Sequence, residues 1–232
     1  MTTAKTSAYA CAPEDSRASR STIRPSRGSA RVTIIAGTPP REIRLESNLE
    51  ANVAYIALAD RRIADVLEQP PAIDYEDAQG RSRRHTFDFL FTTTEGTRIL
   101  VAVKPSRRAE AKDLKATLRQ IARHIPPSTA DKVLLVTEKN FDRDTVHNAK
   151  LIHAVRRDPD PDAEAVVITL VDTLNGIITI DDLVKATGIA ARAFSACVRL
   201  IDREVLIPIG LQRIDYQLRV VRAPTLAQGV AA

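Results

Sequence analysis

The sequence predicts an α/β domain followed by a smaller domain of two helices and a β-hairpin. Two runs of strand-forming residues on either side of Glu95-Gly96 indicate a β-hairpin in the first half of the chain. A stripe of apolar residues at helical spacing follows that hairpin. Between residues 176 and 222 a helix, a short turn, a second helix and alternating strands succeed one another. This change of pattern predicts a second domain.

Length and composition are those of a globular protein. The chain has 232 residues, of which 44% are hydrophobic and 27% are charged, enough for one large or two small domains. No apolar run approaches the roughly 18 residues of a membrane span, and no stretch resembles a signal peptide, so neither a membrane partner nor export is expected. Cys11 and Cys197 form no disulfide framework, which favours a reducing, cytoplasmic setting. The histidines lack the spacing of zinc ligands: His85, His124, His147 and His153.

The positive charge lies mostly at the N-terminus. The chain carries a net charge of +5, and basic residues outnumber acidic ones in residues 1–31. Residues 1–30 are rich in Ser, Thr, Ala and Arg without an apolar period, which predicts a disordered basic tail. Such a tail either contacts nucleic acid or serves only as a solvated segment. Residues 225–232 are also predicted to be a disordered tail.

The first domain is predicted to span residues 31–170. A strand at 31–35 is followed by a helix that opens at Ser47, and residues 66–75 are extended and lie at a sheet edge because they include two prolines. Strands at 85–91 and 98–103 form the hairpin. A long helix follows Pro105, with its apolar stripe at Leu114, Leu118, Ile121 and Ile125.

The remaining predicted elements complete the first domain and build the second. Residues 133–136 are continuously apolar, which predicts a buried strand beside the hairpin. A helix at 145–156 and a turn at 158–162 follow. The second domain is predicted at 171–224, with a helix opened by Thr179 and closed by Gly188, a second helix at 190–204, and strands at 205–209 and 212–221. This order is the winged-helix pattern.

The hairpin holds the residues best suited to chemistry. Asp88 lies on the first strand, and Lys104 ends the second. Side chains alternate along a strand, so Ala102 and Lys104 are expected to point the same way, on a face that Asp88 can share. Metal-dependent nucleases use such a face, where carboxylates hold Mg²⁺ and a lysine offsets charge on phosphate. An upstream helix adds an acid, for which Glu50 and Glu46 are the candidates.

Four segments taken in order resemble TnsA-type transposon endonucleases of the PD-(D/E)xK class. They are Leu45-Glu46-Ser47-Asn48-Leu49-Glu50, Glu68-Gln69-Pro70, Phe87-Asp88-Phe89 and Leu100-Val101-Ala102-Val103-Lys104-Pro105. The resemblance covers about residues 40–222. It implies a restriction-endonuclease-like mixed sheet flanked by helices, followed by a winged helix. It also implies cleavage of DNA at transposon ends with Mg²⁺ or Mn²⁺, together with transposase and regulator proteins.

Matched position by position, the resemblance implies that Glu50 and Asp88 are metal-binding catalytic acids and that Lys104 is the catalytic lysine. Glu46 and Gln69 are additional candidates for the site. Two positions depart from the family pattern. Phe87 replaces a proline that mainly shapes the strand, and Ala102 replaces a Glu or Gln. Alanine has no oxygen to offer a metal or a water. The backbone carbonyl of Val103 is an alternative ligand, and Mg²⁺ retains several waters, so it tolerates a site with two acids.

Simpler interpretations stand beside these roles. Ser47 and Glu50 also form a capping box at a helix start. Lys104 is also consistent with a lysine exposed at a strand end, and Gln69 with an edge residue that has no chemistry. Basic residues near the site and on the second-domain helix are candidates for contacts with DNA phosphates, although such charges are usually solvated. They are Arg83, Arg84, Arg107, Arg108, Arg192 and Arg199.

Three functions are therefore expected to compete. The first is a metal-dependent endonuclease. The second is a catalytically degenerate DNA-binding or assembly module, which Ala102 favours. The third is a winged-helix transcription regulator with an unrelated α/β sensor domain, which predicts that Asp88 and Lys104 do not face each other.

Overall fold

A computed structural model of the chain describes residues 12–20, 30–173, 176–210 and 212–224. The chain divides into two units, Met1–Asp142 and Arg143–Ala232. The domain boundary predicted near residue 170 therefore lies inside the second unit. Among the described residues, no helix is long and apolar enough to cross a membrane.

The first unit is built on a four-stranded mixed sheet with strand order β3-β6-β7-β8. Its elements in chain order are β1 (Val32–Ala36), β2 (Arg41–Leu45), α1 (Asn48–Ala59), β3 (Ile63–Glu68), β4 (Ile73–Glu76), β5 (Ser82–His85), β6 (Phe89–Thr93), β7 (Arg98–Val103), α2 (Ser106–Ala111), α3 (Leu114–Ala122) and β8 (Lys132–Val136). Strands β3, β6 and β7 are antiparallel neighbours, and β8 runs parallel to β7. Strands β1 and β2 form one separate ladder, and β4 and β5 form another.

The four-stranded sheet is covered by helices on both faces. Val101 and Val103 belong to the apolar cluster that includes buried residues of α1. Leu100 and Ala102 alternate with them and pack in a second cluster with Ile121 of α3. This alternation follows from the two-residue period of a strand, and it places the sheet between α1 and α3. A mixed sheet flanked by helices agrees with the predicted α/β class.

The predicted hairpin is confirmed, with a later start. Phe89 pairs with Val101 and Phe91 with Ile99, and the turn places Gly96 at φ 86°, a conformation that glycine adopts without steric cost. The predicted strand at 85–91 is divided, because His85 ends β5 and belongs to the ladder with β4. The extended segment predicted at residues 66–75 is also divided. Its first residues belong to β3, which forms an edge of the four-stranded sheet as expected, whereas its last residues belong to β4 in the separate ladder with β5.

Two details of the first unit differ from the sequence-based expectations. The single long helix after Pro105 is two helices, α2 and α3, because Asp113 adopts a left-handed conformation with φ 41° between them. The strand at 133–136 does lie beside β7, but it is not fully buried. As β8 it forms the other edge of the sheet, where Leu134 is 48% exposed.

Part of the N-terminal segment is packed on the first unit, contrary to the predicted disorder of residues 1–30. The N–H of Glu14 donates to the carbonyl of Pro40 at 2.9 Å. Ser16 Oγ donates to Glu68 at 2.5 Å. Polar contacts with a sheet edge hold this segment, and apolar periodicity carries no signal for such contacts. Residues 1–11, 21–29 and 225–232 of the predicted tails lie outside the described residues.

The second unit combines four helices with a three-stranded antiparallel sheet of order β10-β11-β9. Its elements are α4 (Arg143–Arg156), α5 (Pro161–Asp172), β9 (Ile178–Thr179), α6 (Ile180–Thr187), α7 (Ala191–Asp202), β10 (Leu206–Pro208) and β11 (Arg219–Arg222). One apolar cluster joins the four helices through buried residues that include Val155, Val167, Leu183 and Val198. Helices α4 and α5 therefore share a core with the C-terminal elements rather than with the mixed sheet.

Local capping signals in the second unit are confirmed. Thr179 accepts the N–H of Asp182 at the start of α6, and Gly188 closes that helix with φ 68°. Helix α5 was not predicted. Asp160 accepts the N–H of Ala163, and Pro161 occupies the first turn, so the residues assigned to a turn form a helix start. The last strand is shorter than residues 212–221, because only β11 pairs with its neighbours.

Candidate active site

Three strand ends meet at one edge of the mixed sheet. Because β6 is antiparallel to both β3 and β7, the end of β3, the start of β6 and the end of β7 lie side by side. Gln69 follows β3, Asp88 precedes β6 and Lys104 follows β7. Gln69 and Lys104, which are far from Asp88 in the sequence, therefore both contact it.

Asp88 occupies the centre of this edge. Its N–H donates to the carbonyl of Val101 at 3.0 Å, and its own carbonyl accepts the N–H of Gln69 at 2.8 Å. Its carboxylate Oδ2 accepts the N–H of Val103 at 2.6 Å. Lys104 Nζ lies 3.3 Å from both carboxylate oxygens. The structure therefore brings Asp88 and Lys104 into direct contact.

Glu50 lies in the first turn of α1, where the helix cap holds it. Its N–H donates to Ser47 Oγ at 3.2 Å. Its Oε1 accepts the Ser47 hydroxyl at 2.8 Å, and its Oε2 accepts the N–H of Glu46 at 2.8 Å. The N-cap interpretation of Ser47 is confirmed. It does not remove Glu50 from the candidate site, since each oxygen keeps a lone pair for another partner.

The electrostatics of Glu50 connect it to the strand edge. Glu50 is 7% exposed, and burial raises the pKa of its carboxyl group above the ordinary value. The hydrogen bond from the Glu46 N–H opposes that rise, the negative charge of Asp88 adds to it, and the positive charge of Lys104 lowers the pKa again. Glu50 is thus within electrostatic reach of both Asp88 and Lys104.

The two additional candidates behave differently. Glu46 is partly exposed, and its carboxylate forms an ion pair with Arg20 at 3.2 Å. Gln69 is 3% exposed, and its Oε1 is buried without a hydrogen-bond partner among the described residues. Of these two side chains, only Gln69 has an unused buried donor or acceptor atom beside Asp88.

Ala102 is enclosed by the core. It is 1% exposed and belongs to the cluster that contains Leu118 and Ile121 of α3. The position at which the family pattern has a Glu or Gln is therefore apolar both in its own side chain and in its packed neighbours.

His85 also lies near the site. From the sequence, this histidine was considered only as a zinc ligand. Its Nε2 is buried without a hydrogen-bond partner among the described residues. Burial lowers the pKa of His85, the charge of Asp88 opposes that change, and the charge of Lys104 reinforces it. The ring packs edge-on against Phe87, with 4.7 Å between centroids. Its closeness to Asp88 in the sequence was the available signal.

Glu68 is a second buried acid near this edge, but it is already paired. It is fully buried, and its Oε2 accepts Arg41 Nη1 at 2.9 Å. The hydroxyl of Ser16 occupies its other oxygen. Because Arg41 lies on another strand far away in the sequence, no local pattern predicted this pair, which serves the packing of the edge.

The candidate DNA-contacting arginines fall into three groups. Arg107 and Arg108 are exposed in α2, which begins two residues after Lys104. Arg83 and Arg84 are exposed on β5 but form ion pairs, Arg83 with Asp77 in the turn after β4 and Arg84 with Asp74 of β4. The proximity of Arg107 and Arg108 to Lys104 makes them the better candidates in this unit.

The other two arginines lie in the second unit. Arg192 is half exposed and pairs with Asp160 at 2.7 Å. Arg199 is only 6% exposed; its Nε donates to Glu164 at 2.5 Å and its Nη1 to the carbonyl of Asp158 at 2.9 Å. Arg199 is therefore buried in the core and paired there. Its burial does not support the expectation that it contacts DNA.

The donor atoms at the strand edge fit a hard divalent cation. Across the part of the chain that the structure describes, no group of three or more His, Cys, Asp and Glu side chains is arranged to hold a metal. Glu50 and Asp88 supply two carboxylates, and the Gln69 amide oxygen has no hydrogen-bond partner in the described part of the chain. Oxygen donors of these kinds bind Mg²⁺ and Mn²⁺, and Mg²⁺ completes its coordination with water.

Comparison with known families matches this region of the chain. Residues 60–139 match the TnsA-like endonuclease N-terminal domain. The match contains Asp88, Ala102 and Lys104, and it covers about a third of the chain, ending before the second unit. No curated protein matches the sequence. The predicted resemblance is thus confirmed across residues 60–139, which are similar to the N-terminal domain of TnsA-like endonucleases.

Proposed function

We propose that this protein is a metal-dependent DNA endonuclease of TnsA type that hydrolyses a phosphodiester at DNA ends during transposition. The contact between Lys104 Nζ and the Asp88 carboxylate carries the proposal. It joins the two residues that the family pattern requires, inside the segment that matches the family. Glu50, whose pKa responds to the charges of both Asp88 and Lys104, completes the group.

In this proposal Asp88 and Glu50 hold the cation. When bound, Mg²⁺ or Mn²⁺ supplies an activated water and offsets negative charge on the phosphate. Asp88 is held in place by the N–H of Val103, and Glu50 by the N–H of Glu46. Such support preorganises both carboxylates, which reduces the cost of arranging them when substrate binds.

Lys104 would act on the phosphate itself. The Lys104 side chain is 42% exposed, so it is accessible to a DNA backbone from the solvent. A positive charge there stabilises the charge that develops on the phosphate oxygens. The exposed Arg107 and Arg108 would extend this positive surface along the DNA strand.

For the second unit we propose a winged-helix domain that binds DNA or the partner transposase and regulator proteins. The order of β9, α6, α7, β10 and β11, with the three strands in one antiparallel sheet, supports this assignment. Arg192 is the exposed candidate for a DNA contact on α7. Binding of labelled DNA ends by the full chain, compared with the Arg192→Ala variant, tests this role.

The transcription-regulator interpretation is weaker than the endonuclease interpretation. It predicted that Asp88 and Lys104 would not face each other, whereas their charged groups lie 3.3 Å apart. A catalytically degenerate DNA-binding module would have the same fold as an active endonuclease. Only a measurement of DNA cleavage distinguishes the two functions.

Nicking of supercoiled plasmid by the purified full chain with Mn²⁺ tests the proposal. We expect nicking by the wild type, loss in Asp88→Ala and in Lys104→Ala, and retention in Lys132→Ala. Lys132 is a matched control, because it is an exposed lysine at the opposite end of the sheet. Nicking that survives both site variants would contradict the proposed site. DNA binding by a wild type that never cuts would identify the degenerate module.

A further inference from the structure

Gln69 carries two unfavourable features at the edge where Asp88 lies. Its backbone has φ 42°, in the left-handed region that side chains other than glycine rarely adopt. The residue is only 3% exposed, and its Oε1 is buried and has no hydrogen-bond partner among the described residues. A buried polar atom without a partner is destabilising and is uncommon in folded proteins.

The surrounding backbone holds Gln69 in this position from two sides. Its N–H donates to the carbonyl of Asp88 at 2.8 Å, and its own carbonyl accepts the N–H of Ser19 at 2.9 Å. Ser19 Oγ also donates to the carbonyl of the next residue, Pro70, at 3.1 Å. The strained conformation is therefore fixed by contacts from Asp88 and from the packed N-terminal segment.

The chemistry missing from the edge is the chemistry that Gln69 offers. An amide oxygen is a ligand for hard divalent cations. Ala102 has no oxygen, and its side chain is enclosed by the core beside α3. The pKa of Glu50 responds to the charge of Asp88, and Glu68 is already paired with Arg41 and Ser16. Among the described residues, the Oε1 of Gln69 is a further side-chain oxygen at this edge.

We propose that Gln69 supplies its Oε1 as the third protein oxygen of the metal site formed by Asp88 and Glu50, in place of the side chain absent at Ala102. The inference rests on the proposed function, because it assigns a ligand to the same site. It explains why an amide oxygen with no hydrogen-bond partner among the described residues is retained on a strained backbone bonded to Asp88. It also assigns a role to the packing of Ser19, which holds the backbone of the ligand.

Titration of the metal-free full chain with Mn²⁺, followed by calorimetry, tests the inference without measuring cleavage. We expect Gln69→Ala to weaken Mn²⁺ binding by about tenfold, the scale on which altered metal-site residues act. Gln69→Glu is expected to bind Mn²⁺ more tightly than the wild type, since a carboxylate is the stronger ligand. Gln79→Ala is the matched control, because Gln79 is an exposed glutamine in the same unit, and it should bind like the wild type.

Gln69→Gly separates the ligand role from a folding role. Glycine adopts φ 42° without steric cost, so this variant should fold at least as stably as Gln69→Ala. It should nevertheless lose the same Mn²⁺ affinity. A purely structural role for Gln69 instead predicts unchanged affinity in the glycine variant, and no gain in affinity with Gln69→Glu, and either result overturns the inference.

Asp88→Ala distinguishes failure of the Gln69 assignment from failure of the proposed metal site. If Asp88→Ala abolishes Mn²⁺ binding while Gln69→Ala and Gln69→Gly bind like the wild type, the Gln69 inference is wrong and the proposed metal site stands. If the wild type does not bind Mn²⁺, or if Asp88→Ala binds as well as the wild type, the proposed metal site is wrong and the assignment of Gln69 falls with it.

Discussion

Lys104 Nζ lies 3.3 Å from both carboxylate oxygens of Asp88, and one of those oxygens also accepts the N–H of Val103 at 2.6 Å. The same carboxylate therefore ends the ladder between β6 and β7 and balances the charge of the lysine. An acid at this position has a structural function in addition to the proposed catalytic one, and substitutions can separate the two.

Asp88→Asn and Asp88→Ala should differ in stability but not in activity. Asparagine retains an oxygen for the Val103 N–H, whereas alanine leaves that donor without its partner, which costs about 1–3 kcal/mol. Both variants lose the charge proposed to hold the metal, so both should lose plasmid nicking. Thermal unfolding followed by circular dichroism measures the stability difference. Asp74→Asn, an exposed acid on β4, is the control, and equal stability of the two Asp88 variants would contradict the structural role.

Ala102→Glu introduces the residue that the family pattern has at this position, but it should lower the free energy of unfolding of the first unit. The side chain at 102 packs with Leu118 and Ile121, so a glutamate there overpacks the core and buries a charge, at a cost of about 2 kcal/mol or more. Urea unfolding measures the change. Ala111→Glu makes the same substitution at an exposed helix position and should shift stability by no more than about 0.5 kcal/mol. Equal effects of the two substitutions would show that position 102 is not enclosed.

Glu164→Ala should be among the more destabilising changes in the second unit. Glu164 accepts Arg199 at 2.5 Å and also pairs with Arg203, and both Glu164 and Arg199 are buried. Removing the acid leaves the Arg199 charge in the core, at a cost of about 3–5 kcal/mol. Arg192→Ala, which breaks a more exposed pair, should cost less than about 1 kcal/mol. Thermal unfolding compares them, and a mild effect of Glu164→Ala would mean that Arg199 is not held in the core.

In the metal-free protein, the stability of Glu50→Gln relative to the wild type should increase as the pH rises. Burial raises the pKa of Glu50 above its ordinary value of 4.5, so the folded state favours the protonated form. The stability that this provides to the wild type is present below the ordinary pKa and is lost as pH rises through the raised pKa. The advantage of the glutamine variant should therefore grow over that interval.

Urea unfolding of wild type and Glu50→Gln in the presence of a chelator, across a series of pH values between about 4 and 8, measures this difference. An advantage that stays constant with pH would show that the Glu50 carboxyl is not perturbed in the folded protein. The chelator matters because a bound cation would favour the ionised carboxylate and reverse the effect.

Features that depend on neighbouring residues in the chain were predictable from the sequence. The cap at Ser47, the cap at Thr179, the closing Gly188 and the turn at Gly96 all appear where the sequence places them. Each of these signals operates within a few residues, because a side chain or a glycine conformation satisfies a nearby backbone group. The contact between Asp88 and Lys104 was also expected, since a hairpin brings the ends of its strands together.

Tertiary structure alone decided the features that join distant residues. It packed Ser16 against Glu68, buried Arg199 against Glu164, and left the Oε1 of Gln69 without a hydrogen-bond partner among the described residues. The sequence by itself determined the elements and the acids and lysine of the candidate site, because these follow from local periodicity and motif order. Burial and pairing depend on which elements pack together. That packing determines whether a polar or charged side chain is exposed to solvent, paired with another group, or buried without a partner.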